Sequence, residues 1–304
     1  MRGAQTIAAG AVVAAGGLLG LQARINGQLG AHLHSAVDAA LVSFGVGTAL
    51  LVVIVIATSR PAVGRLRRAS TTWWWWLGGL AGAAVVSSTA EGVPQIGVAL
   101  VTVCIVAGIA LGGLVVDELG LGPGGTSSVT RWRIGGAGLA VAAVALGAVG
   151  ETHGAVRPAL FAALFLAGAA SAAQQAANGQ IRRVADSTAV ASLVSFTGGT
   201  IALVVFAAAR GDLTGRSWPS TWWLYTGGGL GAVYIALAAA SVARLGVLIV
   251  SLATVAGQLA AAVILDVAWP SPGIHLRPTT VIGAVLTLVS VAVSAGRRRA
   301  TVPQ

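Results

Sequence analysis

An internal duplication is the feature of this sequence that most restricts its fold. A block that begins at residue 22 recurs 152 positions further on without a gap, and ten residues return unchanged: Gln22, Asn26, Gly27, Gln28, Leu41, Val42, Ser43, Phe44, Gly47 and Thr48 recur as Gln174, Asn178, Gly179, Gln180, Leu193, Val194, Ser195, Phe196, Gly199 and Thr200. A second block recurs at an offset of 149 positions, where Gly97, Val98, Val101, Gly108 and Asp117 match Gly246, Val247, Val250, Gly257 and Asp266. The chain is therefore a tandem repeat with halves at residues 1–152 and 153–304, and its fold must contain the same unit twice.

The composition is that of a protein embedded in lipid. Hydrophobic residues make up 56% of the 304 positions and charged residues only 9%, whereas soluble proteins carry about 25% charged residues. Every basic residue is an arginine, and the arginines lie in short gaps between apolar runs. The net charge of +10 therefore indicates orientation in a membrane and argues against a nucleic-acid partner. The lipid bilayer is the first partner that the sequence predicts.

A window of about 20 apolar residues, the length that crosses a bilayer, predicts ten helices, five in each half. The first run also resembles a signal peptide. Its end belongs to the repeated block, however, and is copied deep inside the chain, so we expect the run to be retained as a span. The two divisions near Gly92 to Pro94 and at Arg244 are predicted as tight hairpins. The predicted spans are 4–23, 36–58, 73–91, 95–116, 134–150, 158–178, 188–208, 221–243, 245–265 and 279–296.

The distribution of arginine predicts the orientation of the spans. With a cytoplasmic N-terminus, the inner segments hold 13 arginines and the outer segments hold 5, as expected from the excess of positive charge in cytoplasmic loops. Both termini are then cytoplasmic in a multi-pass protein of the plasma (inner) membrane. Because each repeat crosses the bilayer an odd number of times, the halves must be inverted relative to each other. The predicted fold is an all-α integral membrane protein with ten transmembrane helices in two inverted five-helix repeats.

Polar residues inside predicted spans are the strongest candidates for function, because each is costly in lipid unless it meets a partner or water. Gln22 and Asn26 lie four residues apart and share a helix face, as do Gln174 and Asn178. Each pair ends the first span of its repeat, and the glycine that follows is predicted to break the helix and expose backbone groups to a cavity. Two interpretations stay open: the pairs bind a solute, or they tie helix ends to neighbouring helices.

Two other repeated residues carry simpler expectations. The hydroxyls of Ser43 and Ser195 are expected to bond the carbonyl four residues back in their own helices, with solute binding as the alternative. Asp117 and Asp266 end the fourth and ninth predicted spans. We expect them to cap turns at opposite faces of the membrane.

Three charged residues break the symmetry of the repeats. Arg24 stands opposite Ala176 in the second half, and we expect its long side chain to reach water at the outer surface. Glu91 and Asp38 have no acidic counterparts, and they are the two carboxylates outside the predicted loops and repeated turns. Coupling to a proton requires a carboxylate that can hold a proton near neutral pH. Glu91 and Asp38 are therefore the candidates for coupling to a proton or another ion, and Glu91 is preferred because it ends a span that is predicted to line the cavity.

Signatures of enzymes and metal sites are absent from the sequence. Since no lysine occurs, there is no Walker-type phosphate-binding loop, and neither a His-Glu-x-x-His helix nor a Gly-x-Ser-x-Gly elbow is present. The four histidines fall in predicted outer loops without the spacing of a helical ligand pair. We therefore expect no enzymatic activity, no cofactor and no bound metal.

Small residues in the predicted spans are spaced for close helix packing. Four pairs of glycines lie four positions apart: Gly16 with Gly20, Gly78 with Gly82, Gly108 with Gly112, and Gly227 with Gly231. A homodimer stays open, because no one of these pairs singles out a helix face for contact with a second copy.

The repeated residues resemble a known family. The run from Gln22 through Asn26 to Leu41-Val42-Ser43-Phe44, its copy in the second half, and Gly257-Gln258 followed by Asp266 are similar to the YdcZ-like branch of the drug/metabolite transporter superfamily, over nearly the whole chain. The resemblance implies inverted five-helix repeats around a central cavity, lined by the first four helices of each half. The fifth and tenth helices would be peripheral.

The resemblance also implies a function. We expect a secondary transporter that exports a small metabolite or drug-like solute by alternating access. A uniporter or channel, which would move solute only downhill, and a non-transporting membrane scaffold are the alternatives. The predicted solute-binding residues are Gln22, Asn26, Gln174, Asn178, Ser43 and Ser195.

Overall fold

The computed structural model describes residues 2–126, 129–149, 158–209, 218–271 and 275–295, and within these ranges the protein is helical and contains no strand. Short 3-10 turns lead into α4 and α8. The predicted all-α class is thus confirmed for the described part of the chain. The helices are α1 (Arg2–Leu33), α2 (Ala36–Thr58), α3 (Arg60–Arg68), α4 (Gly78–Glu118), α5 (Arg131–Val149), α6 (Pro158–Ala185), α7 (Thr188–Ala209), α8 (Gly227–Ala268) and α9 (Pro278–Ala295).

Four helical stretches within the described ranges are long and apolar enough to cross a membrane: Ala36–Thr58, Trp73–Glu118, Pro158–Ala185 and Thr188–Ala209. The second of these contains 46 residues. A straight helix of that length would extend about 69 Å, more than twice the roughly 30 Å of the hydrocarbon core. This stretch must therefore bend or turn back.

Helix α4 turns back at Gly97, whose backbone angles (φ 78°, ψ 167°) are not helical. A positive φ of this kind is readily available only to glycine. Gly78 lies beside Asn178, whereas Gly112 lies against Ala169 of the same helix, α6. A straight α4 would separate those two glycines by about 51 Å, but their partners on α6 are only about 14 Å apart. The two arms of α4 are therefore antiparallel.

Helix α8 turns back in the same way. Gly227, at its start, lies beside Asn26 of α1, and Asp266, near its end, is bonded to Arg24 of the same helix. A straight α8 would separate its two contact residues by about 58 Å, although their partners on α1 are only about 3 Å apart along the axis. Both predicted reversals therefore occur. The reversal in α4 lies at Gly97, beyond the predicted Gly92 to Pro94.

The closest helix packing joins one repeat to the other. Helix α1 of the first repeat lies against the second arm of α8, which contains Thr254 and Gly257. Helix α6 of the second repeat lies against the second arm of α4, which follows Gly97. A Cβ at any of four glycines in these two interfaces would lie only 1.9 to 2.3 Å from a backbone oxygen, so only glycine permits these approaches. The pairs of glycine and facing carbonyl are Gly16 with Thr254, Gly257 with Val13, Gly108 with Phe165, and Gly168 with Ile105.

Helices α2 and α7 meet through equivalent residues of the two repeats. The rings of Phe44 and Phe196 lie 5.0 Å apart between centroids. The hydroxyls of Thr48 and Thr200 share a 2.9 Å hydrogen bond. Contacts between a residue and its own copy are the mark of a twofold relation. The repeats therefore pack about an approximate twofold axis that passes close to these two pairs.

Two predicted helix ends are wrong. Helix α1 continues to Leu33 rather than ending at residue 23, and α6 continues to Ala185 rather than ending at residue 178. The glycines that were expected to break these helices, Gly27 and Gly179, lie inside them. The reason at Gly27 is packing, because a Cβ there would lie 2.7 Å from the side chain of Val93. This glycine lets α4 approach α1.

The backbone contact at Gly257 yields a stability prediction. Gly257→Leu should force α1 and α8 apart, because its Cβ would start 1.9 Å from the carbonyl oxygen of Val13. We expect a cost at or above the usual 1–3 kcal/mol, roughly, of an overpacked core. It would be measured as a lower unfolding temperature of the purified protein in detergent.

The matched control for this prediction is Gly113→Leu on α4, where nothing lies within 4 Å of the added Cβ. This variant should unfold at the temperature of the unmodified protein. Equal unfolding temperatures for both variants would contradict the helix packing described above.

Candidate functional site

The first carboxamide pair converges on one serine. Gln22 and Asn26 project from the same face of α1 toward Ser43 of α2. The Nε2 of Gln22 and the Nδ2 of Asn26 donate to Ser43 Oγ at 3.4 and 3.2 Å. Asn26 and Ser43 are each 2% exposed, and Gln22 is partly exposed. These residues form the first triad.

The second triad is the equivalent group in the other repeat. The Nε2 of Gln174 on α6 donates to Ser195 Oγ on α7 at 2.8 Å. The Oδ1 of Asn178 is buried without a hydrogen-bond partner, although Asn178 as a residue is partly exposed. A buried acceptor left without a donor costs free energy. In the second triad, the Oδ1 of Asn178 can therefore accept a hydrogen bond from a solute.

The serines were expected to bond within their own helices, and this interpretation is incomplete. Both Ser43 and Ser195 accept hydrogen bonds from carboxamides of a neighbouring helix. The i, i+4 spacing did predict that each carboxamide pair shares one face. The serine partner became recognisable only when the helices were packed together.

Glycines in α4 and α8 bring backbone close to both triads. A Cβ at Gly82 would lie 2.6 Å from Nε2 of Gln174 and 3.2 Å from the ring of Phe44, and a Cβ at Gly231 would lie 3.1 Å from Oε1 of Gln22. The first arm of α4 thus packs against the second triad, and the first arm of α8 packs against the first triad. Each triad is enclosed by helices from both repeats.

Both triads are neutral and polar, and we call their six residues together the central cluster. It contains carboxamides and hydroxyls, which donate and accept hydrogen bonds without net charge. The Phe44 and Phe196 rings and the Thr48–Thr200 hydrogen bond lie where the two repeats meet. The arrangement can bind and orient a solute, and it contains no nucleophile poised beside a base. The central cluster consists of Gln22, Asn26, Ser43, Gln174, Asn178 and Ser195.

The two coupling candidates occupy different surroundings. Asp38 lies in the first turn of α2 and is 3% exposed, and its backbone N–H donates to the capping hydroxyl of Ser35 at 3.2 Å. Glu91 is exposed on α4, and its Oε1 accepts from Gln95 Nε2 at 2.6 Å. Asp38 is five residues from Ser43, about 8 Å along the helix. Of the two, Asp38 is therefore the buried carboxylate on a helix of the central cluster.

A buried ion pair was not predicted from the sequence. Arg24 is 0% exposed, and its guanidinium donates to Asp266 Oδ1 at 2.6 Å and to Ser271 Oγ at 2.5 Å. The expectation that Arg24 reaches water is therefore wrong. The physical reason is that α1 extends ten residues beyond its predicted end, which places Arg24 inside the helix bundle. The sequence contained one signal of a special role for Arg24, since the equivalent position in the second half is Ala176.

Asp266 does cap a helix, but inside the protein rather than at a membrane face. Its Oδ1 accepts from the backbone N–H of Val98 at 2.9 Å and its Oδ2 from that of Ala99 at 2.7 Å. These amides begin the second arm of α4, where N–H groups have no partner within the helix. The equivalent Asp117 instead pairs with Arg133 of its own repeat. The two aspartates thus have different roles.

The fold is similar to that of a solved protein. A structure described as "Crystal structure of protein" matches the chain with a TM-score of 0.55 over 97% of each chain, at 20% sequence identity. At this level of identity the likeness concerns the fold alone. No match was found among curated proteins.

The family comparison agrees with the repeats. The family model described as "Putative inner membrane exporter, YdcZ" matches residues 7–146 and 159–293, so one segment lies in each half and the two cover nearly the whole chain. The chain therefore belongs to the YdcZ family of membrane transporters within the drug/metabolite transporter superfamily.

Proposed function

We propose that this protein is a ten-span secondary transporter that exports a small, uncharged polar solute by alternating access. The observation that carries the proposal is the pair of equivalent triads, each built from a neutral carboxamide face and a serine. The description of the family as an inner membrane exporter supports the direction of transport.

Inversion of the two repeats would place the two triads on opposite sides of the membrane midplane. If every helical arm except the short α3 crosses the bilayer, each repeat has five crossings, and the approximate twofold axis lies in the membrane plane. Asn26 is then about 13 Å from the midpoint of α1 toward the outside, and Asn178 is about 10 Å from the midpoint of α6 toward the inside. Both distances fall within the hydrocarbon core, whose half-thickness is about 15 Å.

The composition of the central cluster supports an uncharged solute. A charged solute would need an opposite charge to offset its desolvation, and the six residues of the cluster supply none. The unpaired Oδ1 of Asn178 favours a solute with an O–H or N–H donor. The adjacent Phe44 and Phe196 rings favour some apolar surface as well.

The contacts between the repeats also bear on the alternatives. A channel would need a continuous path, whereas Phe44 touches Phe196 and Thr48 is bonded to Thr200 where the repeats meet. A closed centre flanked by two triads is the arrangement expected of a carrier between transport steps.

The proposed inversion predicts the location of two loops. A reporter that is active only outside the cytoplasm should be silent when fused after Arg65 and active when fused after His153, which lies outside the described residues. The reason is the excess of arginine on the inner side. Activity after Arg65 together with silence after His153 would overturn the orientation.

The triads predict the effect of removing one carboxamide from each side. Asn26→Leu and Asn178→Leu should each abolish export, because leucine keeps the side-chain volume and removes the hydrogen-bonding groups. The solute would first be identified by comparing metabolites released from cells with and without the protein. Export would then be measured for both variants at equal protein abundance.

The matched control for this experiment is Ser290→Ala, which removes a fully buried hydrogen bond from Ser290 to the carbonyl of Gly136, 2.7 Å long, between α9 and α5. It should leave export intact, since α5 and α9 are peripheral to the central cluster. If both asparagine variants export normally, the carboxamides only connect neighbouring helices, and the solute binds at another site.

Coupling to a proton would use Asp38 in preference to Glu91. A coupling carboxylate must change its surroundings as the transporter changes state, and Asp38 is buried on a helix of the central cluster. In vesicles with an imposed pH gradient, Asp38→Asn should lose gradient-driven accumulation, and Glu91→Gln should keep it. The reverse outcome would restore Glu91 as the coupling group.

A further inference from the structure

The Arg24–Asp266 ion pair joins three helical arms from both repeats. Arg24 belongs to α1, Asp266 ends α8, and the amides of Val98 and Ala99 begin the second arm of α4. Ser271 extends the network, because it accepts from Arg24 at 2.5 Å and donates to the carbonyl of Val93 at 3.3 Å. One end of the helix bundle is therefore held together by a single connected set of polar contacts.

This set of contacts behaves as a unit. The side chains of Arg24 and Asp266 are 0% and 4% exposed, and separating them without water would leave two unpaired charges inside the protein, at high cost. The carboxylate is further held by two N–H groups at a helix start, where the helix dipole favours negative charge. The contacts can therefore be expected to break together, when water enters this end of the bundle.

The opposite end has no buried ion pair between the repeats among the described residues. The Arg65–Asp186 pair that joins the repeats there is 3.9 Å long and lies at the surface, with side chains 48% and 92% exposed. The repeated aspartate at this end, Asp117, pairs with Arg133, and both lie in the first repeat with side chains 26% and 17% exposed. Between the repeats, Gln180 donates to the carbonyl of Leu121 at 2.9 Å. A hydrogen bond to a loop carbonyl is weaker than a buried charge pair. The equivalent of Arg24 is Ala176, which cannot pair with Asp117.

The bridge and the first triad share helix α1. Arg24 sits on α1 between Gln22 and Asn26. Asn26 is 2% exposed, whereas Asn178 in the other triad is partly exposed. The asparagine on the helix that carries Arg24 is therefore the better buried of the two, while the remaining residues of the two triads are alike in exposure.

We propose that the Arg24–Asp266 bridge is a latch that holds this end of the bundle closed, and that the first triad becomes accessible to water when the bridge separates. The inference rests on the proposed transport function, in which the two triads open alternately. The latch makes the two ends unequal, so the resting protein keeps the triad of Gln22, Asn26 and Ser43 shut.

The latch can be tested through the accessibility of one position. Cys104 is the only cysteine of the sequence, and it is replaced by alanine so that Asn26→Cys can serve as the reporter. The reaction rate of the new cysteine with a small charged methanethiosulfonate is measured on the purified protein in detergent. Adding Asp266→Asn should raise the rate about ten-fold, equivalent to a shift of about 1.4 kcal/mol in the open–closed equilibrium. The matched control, Asp117→Asn, should leave the rate unchanged because its ion pair lies within one repeat.

A second variant guards against simple misfolding. Arg24→Met combined with Asp266→Asn removes both charges and leaves no isolated charge buried. It should also react faster while remaining monodisperse. An unchanged rate in folded protein for both latch variants, or an equal rise in the Asp117 control, would overturn the latch. A faster rate in the latch variants, together with no export by the protein that keeps Asn26, would keep the latch and reject the transport proposal.

Discussion

Backbone contact between helices of different repeats is the constraint on which this structure depends. Lipid tails are as apolar as leucine, so helices in a bilayer associate through close packing and polar contacts rather than through exclusion of water. Here α1 meets α8 and α6 meets α4 with glycine against carbonyl oxygen. Because α1 and α6 also carry the carboxamides, this packing decides which serine, ring and glycine each carboxamide meets. The central cluster is a consequence of the cross-repeat contacts.

Neutral hydrogen bonds and the buried ion pair lie in different parts of the helix bundle. Neutral hydrogen bonds occupy both triads, while the buried Arg24–Asp266 pair occupies one end. Neutral groups exchange partners at small cost, so they suit a site that must bind and release a solute. A buried ion pair exchanges partners only with difficulty, which suits a closure. Each repeat contains one triad, whereas the Arg24–Asp266 pair occurs once, because the second repeat has Ala176 where the first has Arg24.

The sequence predicted the helical class, the two reversals and the carboxamide faces, because each depends on hydropathy or spacing along one segment. It failed where a distant helix intervened. Gly27 was expected to end a helix but instead admits Val93, and Ser43 accepts from α1. Arg24 looked like a surface residue because its span was drawn ten residues too short. These errors share one origin, since hydropathy describes a segment without its neighbours.

Composition and duplication alone established a helical membrane protein built from two equivalent units, with one carboxamide pair in each. Apolar content and helical spacing are local properties, and no folding is needed to recognise them. Folding had to bring together residues as far apart as Arg24 and Asp266, which are separated by 242 positions. It also gave the two equivalent aspartates different partners, because only α1 has an arginine where α6 has Ala176. Such pairings are made by helices that pack against each other, and no single segment contains both members.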